Sequence, residues 1–270
     1  MMRAALLVMM ALMSAAALEP SPPRAELAAS IGGEVLHANS IEVLGLVLRD
    51  VVTTPRMDGG ILRFTQAQAR AYGGTASGAV LVDLRSQATR DWMGYQGYLE
   101  IHDWDVGAVA KALGANSDMG SGTITGWLEW ELPGQTRDRF TARGELTIAH
   151  GTLVQFPLLA NLLLGDLSPE RGKDHLSMRF EIRDDQVHLL RAQLTTPVAN
   201  LGIRGTISLD GELHLLVSPH LTLQWVGRIP GPGSALAGWL GDVSARVART
   251  VVRGHIARPV IVPNPFAQLD

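Results

Sequence analysis

The chain has 270 residues, a formal net charge of −3 and no cysteine, and 46% of its residues are hydrophobic. This apolar content is enough for a sizeable core, in one elongated domain or two compact ones. The sequence contains no block of basic residues of the kind that nucleic-acid-binding proteins carry, so we expect no nucleic-acid partner. The absence of cysteine excludes disulfides, thiolate catalysis and cysteine-ligated metals.

The first residues have the layout of a secretory signal peptide. Arg3 provides a short basic start, an uncharged apolar run covers residues 4–18, and Ala15 and Ala17 place small residues before a cleavage point. The run is short for a transmembrane helix. We therefore expect an exported protein, soluble or peripheral to a membrane. An uncleaved anchor or a buried helix is the alternative for the apolar run.

This layout divides the chain into three parts. We predict a signal peptide at residues 1–17, a Pro-rich connector at residues 18–33 and a β domain at residues 34–270.

Alternation of apolar and polar residues predicts strands along most of the β domain. The clearest patterns cover residues 34–48, 60–70, 75–84, 95–101, 124–130, 142–148, 176–182, 201–209 and 248–256, and an extended tail follows at 258–263. Roughly a dozen strands at intervals of about ten residues are typical of an all-β fold. Because the strands are apolar on one face only, an antiparallel sheet is favoured over a parallel one.

Short helices are predicted at two or three places between the strands. Asp105 can cap a helix whose apolar residues share one face, Pro157 opens a leucine-rich helix, and Ser234 can cap a third. The Pro157 helix packs on the sheet as part of its core or, alternatively, lies over the sheet where it can contact lipid.

Local irregularities between the strands predict turns and one bulge. The sequence predicts turns at Tyr72-Gly73-Gly74, His150-Gly151, Asp184-Asp185 and Asp210-Gly211. The alternation slips by one residue at Leu189-Leu190, which predicts a β-bulge.

No catalytic or metal-binding motif is recognisable. The eight histidines are scattered without metal-ligand spacing, and neither an H-E-x-x-H pair nor a G-x-S-x-G elbow occurs. His102, Asp103 and Asp105 can form a carboxylate–imidazole group, although a strand end followed by a helix cap explains them better. We therefore predict no catalytic residue, no metal and no cofactor. An exported hydrolase is the alternative, but it lacks an assembled site.

Several short motifs follow one another in a fixed order. They are Tyr72-Gly73-Gly74 with residues 78–84, residues 104–106 with 113–114, residues 120–122, residues 144–153 before Pro157, residues 206–211, and Arg253-Gly254-His255-Ile256 with Pro259. In order and spacing they resemble the recurring elements of AsmA-like C-terminal domains, over roughly residues 41–263.

The resemblance implies a mainly β fold, in which a long antiparallel sheet curls lengthwise into an open groove with an apolar floor. AsmA-like relatives are linked to the bacterial envelope, to outer-membrane homeostasis and to the movement of phospholipid between membranes. The resemblance therefore implies a non-enzymatic periplasmic protein that binds phospholipid or its acyl chains. Most relatives are longer, and many keep an N-terminal anchor. These departures favour a segment, a shuttle or an accessory subunit over a complete bridge between membranes.

The candidate lining of this groove comes from the alternation of apolar residues. A sheet with so few helices leaves apolar surface uncovered, which is a candidate binding surface, although ordinary core packing is the alternative. The candidate residues are Leu146, Ile148, Met178, Phe180, Ile203 and Ile207 on strands and Leu163 on the Pro157 helix. The rival function is an assembly factor that binds another envelope protein by strand addition at a sheet edge.

Overall fold

A computed structural model describes residues 34–43, 46–85, 94–112, 121–133, 139–151, 174–196, 199–221, 250–255 and 260–263. The predicted signal peptide and connector, the Pro157 helix with Leu163, and the Ser234 helix lie outside these residues. The described chain forms one sheet of thirteen antiparallel strands, in which the order in the sheet follows the order in the chain. The prediction of a mainly β, antiparallel fold is therefore confirmed.

The strands are mostly ten to thirteen residues long and shorten toward both edges. They are β1 (Leu36–Val43), β2 (Leu46–Asp58), β3 (Ile61–Ala71), β4 (Gly74–Asp83), β5 (Gly94–Asp105), β6 (Thr123–Leu132), β7 (Thr141–Gly151), β8 (Asp174–Arg183), β9 (Gln186–Thr195), β10 (Ala199–Ser208), β11 (Glu212–Leu221), β12 (Thr250–His255) and β13 (Val260–Pro263).

Three of the hairpins close through two-residue turns in which both residues have positive φ. These turns are Gly59-Gly60, Tyr72-Gly73 and Asp184-Asp185. Such turns match the twist of the flanking strands. Tyr72 has a φ of 50°, and its hydroxyl accepts a hydrogen bond from the Val47 N–H at 2.9 Å. The predicted turns at 72–74 and 184–185 are confirmed.

The other two predicted turns have different outcomes. Asp210-Gly211 belongs to a hairpin loop, where the Gly211 N–H donates to the Ser208 carbonyl at 3.0 Å, and this turn is confirmed. His150-Gly151 is not a turn, because β7 continues through Gly151. His150 has a φ of 54°, and the register with β8 shifts between Ile148 and Gly151, so His150 forms a bulge inside the strand.

Two strand boundaries also differ from the prediction. Residues 34–48 contain two paired strands, β1 and the start of β2, where the alternation predicted one continuous strand. The extended tail contains β13, which pairs with β12 as the last strand of the sheet.

The described helix, α1 (Val106–Ala112), follows β5 as predicted. The Ala108 N–H donates to Asp105 Oδ1 at 2.6 Å, which is the geometry of an N-cap. Val106, Val109 and Ala110 are buried on its inner side. Within the described part of the chain, no helix is long and apolar enough to cross a membrane.

Nearly all the buried side chains of β4–β12 project from the same side of the sheet, which we call the apolar face. The opposite side, the polar face, carries most of the charged residues. The core therefore covers one face of a single sheet and extends from β2 to β12.

Candidate functional site

The apolar face is the candidate site because its side chains align from strand to strand. The cross-strand register joins Ile101, Gly126, Leu146, Met178, Ala192, Ile203 and Val217 into one row that runs from β5 to β11. This row has no charged or hydrogen-bonding side chain. Three of the seven predicted residues, namely Leu146, Met178 and Ile203, belong to it.

Three more of the predicted residues lie in adjacent rows of the same face. Ile148 pairs with Leu176, Phe180 pairs with Gly144, and Ile207 pairs with Val187. All six strand residues therefore lie together on one surface, and Leu163 lies outside the described residues. Five of the six are buried, with 0–4% exposure, and Ile203 is half-buried against them.

Two aromatic side chains lie over glycines of the neighbouring strand. A Cβ on Gly97 would lie 2.0 Å from Trp130 Cζ2, and a Cβ on Gly144 would lie 3.0 Å from Phe180 Cζ. Each glycine thus leaves room for a ring to extend across the strand. This interlocking was not predicted from the sequence, although the glycines have the same period-two phase as the apolar residues, which was a usable signal.

Hydroxyl groups lie at the limits of the apolar face. Thr53, Thr196 and Thr250 are buried, and they occur in β2, immediately after β9, and in β12. Thr53 Oγ1 donates to the Thr65 carbonyl at 3.1 Å, which satisfies the hydroxyl without a partner from outside the protein. The continuous apolar rows therefore lie mainly between β4 and β11.

A connected polar network lies on the opposite face, around Glu100. Tyr98 Oη donates to Glu100 Oε1 at 2.7 Å, and Ser77 Oγ donates to Oε2 at 3.3 Å. These bonds stabilise the carboxylate, so they lower the pKa of Glu100 and raise that of Tyr98. The Tyr98 ring stacks on Trp127, with centroids 6.5 Å apart. The Glu100 side chain is 45% exposed, so the carboxylate at the centre of this network is in contact with solvent.

The predicted carboxylate–imidazole group is not assembled. Asp105 caps α1, Asp103 lies at a bulge with a φ of 55°, and His102 Nε2 lies 3.8 Å from Glu100. The interpretation as a strand end followed by a helix cap is therefore confirmed. Among the described residues, no group of three or more histidine, aspartate or glutamate side chains could hold a metal ion.

A depression of about 530 Å³ crosses the polar face from β4 to β8. Tyr98, Glu129, Arg143 and Glu181 contribute side chains to its walls. Arg143 Nη2 lies 2.7 Å from Glu129 Oε2, so these two charges in the wall of the depression are paired. The depression is open to solvent, so we regard it as a solvated furrow between rows of side chains.

Comparison with known proteins leaves the family open. No family model, no curated protein and no solved structure matches this chain. The resemblance to AsmA-like domains therefore stays a prediction from the sequence motifs.

Proposed function

We propose that the chain is an AsmA-like periplasmic protein that holds or transfers phospholipid by sheltering its acyl chains against the apolar face. In this role it contributes to the biogenesis or homeostasis of the outer membrane. The proposal includes a curled sheet, so that the apolar face becomes a groove while lipid head groups remain in water.

The continuity of the apolar rows is the observation that carries this proposal. The row from Phe64 through Val80, Trp130 and Ile182 to Leu213 spans nine strands. At a spacing of about 4.8 Å between strands, this row is roughly 38 Å long. One leaflet of a bilayer has an acyl region about 15 Å thick, half of the hydrocarbon core. The apolar face is therefore long enough to accompany an acyl chain for its full length.

Burial of the acyl chain would provide the driving force. Each methylene group transferred from water contributes about 0.8 kcal/mol, so an acyl chain needs no specific polar contact to bind. This agrees with the absence of charged side chains from the rows that contain Leu146, Met178 and Phe180.

Loading also requires that lipid reaches residues that are closed to solvent. Val80, Leu132 and Ile203 are only partly buried while they pack against the buried residues. We propose that these half-buried positions are where an acyl chain first contacts the apolar face. Entry then proceeds along the row from Ile203 toward Met178.

Mass spectrometry of lipids bound to the purified chain tests the proposal, together with transfer of labelled phospholipid between liposomes. We expect co-purified phospholipid that decreases in the variant Ile203→Trp, because the indole would occupy the proposed entry without introducing a charge. Thr206→Trp, on the polar face of the same strand, is the matched control, and circular dichroism verifies the fold of both. Absence of phospholipid together with absence of transfer would refute the proposal.

The second candidate function is binding of another envelope protein by strand addition. The terminal strand β13 is four residues long, and the side chains of Val260 and Val262 are 56% and 46% exposed. An edge strand with exposed β-branched residues can template pairing with another chain. Cross-linking through β13 that captures one protein, with no lipid bound to the purified chain, would favour this function over the first.

A further inference from the structure

The β-bulge in β9 places an apolar residue on the polar face. Opposite β8, Arg191 pairs with Arg179 and Leu189 pairs with Phe180, so Leu190 is an extra residue without a partner. The same bulge appears opposite β10, between the pairs of Ile203 and Gly205. Leu189 and Ala192 are buried, whereas the side chain of Leu190 is 44% exposed. The predicted bulge is thus confirmed, and its effect is to present a leucine to solvent.

Three arginines surround this leucine. Arg191 lies directly opposite Arg179, and Arg204 occupies the position in β10 that faces the bulge. Like charges in direct cross-strand pairs are destabilising, so this arrangement costs stability unless an anion compensates it. Arg179 Nε is 3.8 Å from Glu145, a loose contact, and Arg191 and Arg204 have no ion pair among the described residues.

Apolar side chains continue from this cluster to the edge of the sheet. The cross-strand register leads from Arg204 to Leu216, Val251 and Val262 on the polar face. Leu216 and Val251 are half-buried, and Val262 is 46% exposed. The polar face of β8–β13 therefore combines Arg191 and Arg204, which have no ion pair among the described residues, with exposed apolar groups.

The corresponding surface of β5 and β6 has the opposite character. Glu100, Glu129 and Glu131 lie there, with Tyr98 hydrogen-bonded to one and Arg143 paired to another. The polar face is therefore divided, with negative charge near the middle of the sheet and positive charge toward its C-terminal edge. An anionic partner would be attracted to β8–β10 and repelled from β5 and β6.

We propose that Arg179, Arg191, Arg204 and Leu190, here called the arginine patch, dock the protein on a membrane surface that contains anionic phospholipid. The guanidinium groups bind lipid phosphates in pairs of hydrogen bonds, and Leu190 inserts at the level of the head groups. The patch lies on the face opposite the proposed acyl-chain site and is independent of it. A membrane fits better than a soluble anion, because a soluble anion would leave Leu190 and Val262 in water.

Flotation of the purified chain with phospholipid vesicles tests this docking. We expect binding to vesicles of phosphatidylcholine with phosphatidylglycerol, weak binding to phosphatidylcholine alone, and release at high salt. The double variant Arg191→Gln/Arg204→Gln should lower the partition constant about 25-fold, because each basic residue near an anionic surface is worth about fivefold. At matched ionic strength, inorganic phosphate should release no more protein than sodium chloride does, because a soluble anion does not replace the contact of Leu190 with the membrane.

The matched control removes the same charge elsewhere on the sheet. Arg56 and Arg63 also form a direct cross-strand pair of exposed arginines, in β2 and β3. The variant Arg56→Gln/Arg63→Gln should bind vesicles within about threefold of the parent chain. It weakens only the long-range electrostatic attraction between the whole protein and the anionic surface. An equal loss in both double variants would show that net charge alone explains binding, and would overturn the proposal.

Deletion of Leu190 tests the apolar part of the patch without loss of any arginine. Removal of the extra residue leaves Leu189, Arg191 and Ala192 in regular alternation and in register with β8 and β10, so the strand should still form. Binding should decrease about tenfold, as expected for loss of one inserted leucine. Leu190→Ser provides the same test without a change of length.

The outcomes separate this proposal from the proposed function. Unchanged vesicle binding in the arginine and Leu190 variants, or no binding of the parent chain to anionic vesicles, would overturn docking at this patch. The amount of phospholipid that co-purifies should stay unchanged in these variants, because their substitutions lie on the polar face. Failure of docking and failure of acyl-chain binding are therefore observed in different experiments.

Discussion

Strands β7–β9 bury alternate side chains almost without exception, whereas β3 and β4 leave most of theirs partly exposed. In β8, every second residue from Asp174 to Ile182 is buried. In β4, only Ala76 and Val82 are buried. Both regions belong to the same sheet and are paired along their whole length, so hydrogen bonding does not explain the difference.

The volume of the side chains on the apolar face accounts for the contrast. At one end of β3 and β4 this face carries only the small residues Ala67, Ala69, Ala71, Gly74, Ala76 and Gly78. On the same face, β8 carries the large residues Leu176, Met178 and Phe180. Small side chains bury little area, and they provide few contacts to neighbours on the same face. Alternation thus determines which way a side chain projects, while the volume of its neighbours on the same face determines how completely it is covered. Ala69 and Ala76 are small enough to be buried there, whereas the larger Phe64 is only half-buried.

The largest effect that tests this contrast is expected from truncation of phenylalanines in the two regions. Phe180 is 1% exposed and covers Gly144, whereas Phe64 in β3 is only half-buried. Phe180→Ala should lower the free energy of unfolding by about 3–5 kcal/mol, because it leaves a cavity in the core. Phe64→Ala should cost less than half as much. Urea denaturation of both variants provides the comparison.

Equal losses in the two variants would contradict the contrast between the regions. The conservative change Phe180→Leu serves as a control, because it keeps most of the buried area and should cost much less than the alanine variant. A small loss for Phe180→Ala would indicate that the apolar face collapses readily around the missing ring. It would then be unsuited to a fixed groove.

The distinction between the direction in which a side chain projects and the extent of its burial also explains how much of the fold was predictable from the sequence. Strict alternation in β7, β8 and β10 predicted both the strands and the residues that share the apolar face. The phase slip at Leu189-Leu190 predicted the bulge. The division of residues 34–48 into a hairpin was missed, because Gly45 is the single turn-type residue between two apolar runs. The bulge at His150 was mistaken for a turn, since both place a residue at positive φ.

The candidate sites were predictable to different degrees. Leu146, Met178 and Ile203 were predicted individually from local alternation, but their alignment in one row depends on the register of four strands. The arginine patch was not predicted. Arg179, Arg191 and Arg204 are separated by twelve and thirteen positions in the sequence, and only strand pairing brings them together. Sequence patterns report on single strands, whereas sites on a sheet are built across strands.

An intermediate effect is expected from adding a methyl group to glycines where two strands approach closely. Gly205 has a φ of 131°, and a Cβ there would lie 2.1 Å from the His214 carbonyl oxygen. Gly205→Ala should therefore destabilise the protein by about 1–3 kcal/mol from backbone strain, with the steric clash in addition. In Gly78→Ala in β4, the added Cβ would lie 2.1 Å from the Tyr98 carbonyl oxygen, which is a similar clash. Because Gly78 has no positive φ, this variant should lose less stability than Gly205→Ala.

Gly202→Ala is the control in the same strand as Gly205. The nearest atom to its added methyl group would be 3.7 Å away, an ordinary contact, so its midpoint in thermal unfolding should stay close to that of the parent chain. If Gly78→Ala proves more damaging than Gly205→Ala, the loosely packed region cannot relax around the added atom. The partial exposure of β3 and β4 would then not reflect greater tolerance.

The smallest effect is expected from the ion pair at the end of β4. Arg85 Nη2 lies 2.6 Å from Asp83 Oδ2, and hydrogen bonds from the Arg85 side chain and backbone lower the pKa of Asp83 to about 2. A carboxyl group with a lowered pKa in the folded state stabilises the protein above its unfolded pKa of about 4, and this contribution disappears as the pH falls through 2. Asp83→Asn should therefore be slightly less stable than the parent chain at pH 7 and indistinguishable from it near pH 1.5. Because both side chains are exposed, solvent screens the pair and the difference should shrink in high salt. Urea denaturation at the two pH values measures it, and a difference that persists at the lower pH would assign the effect to the turn geometry instead of the charge.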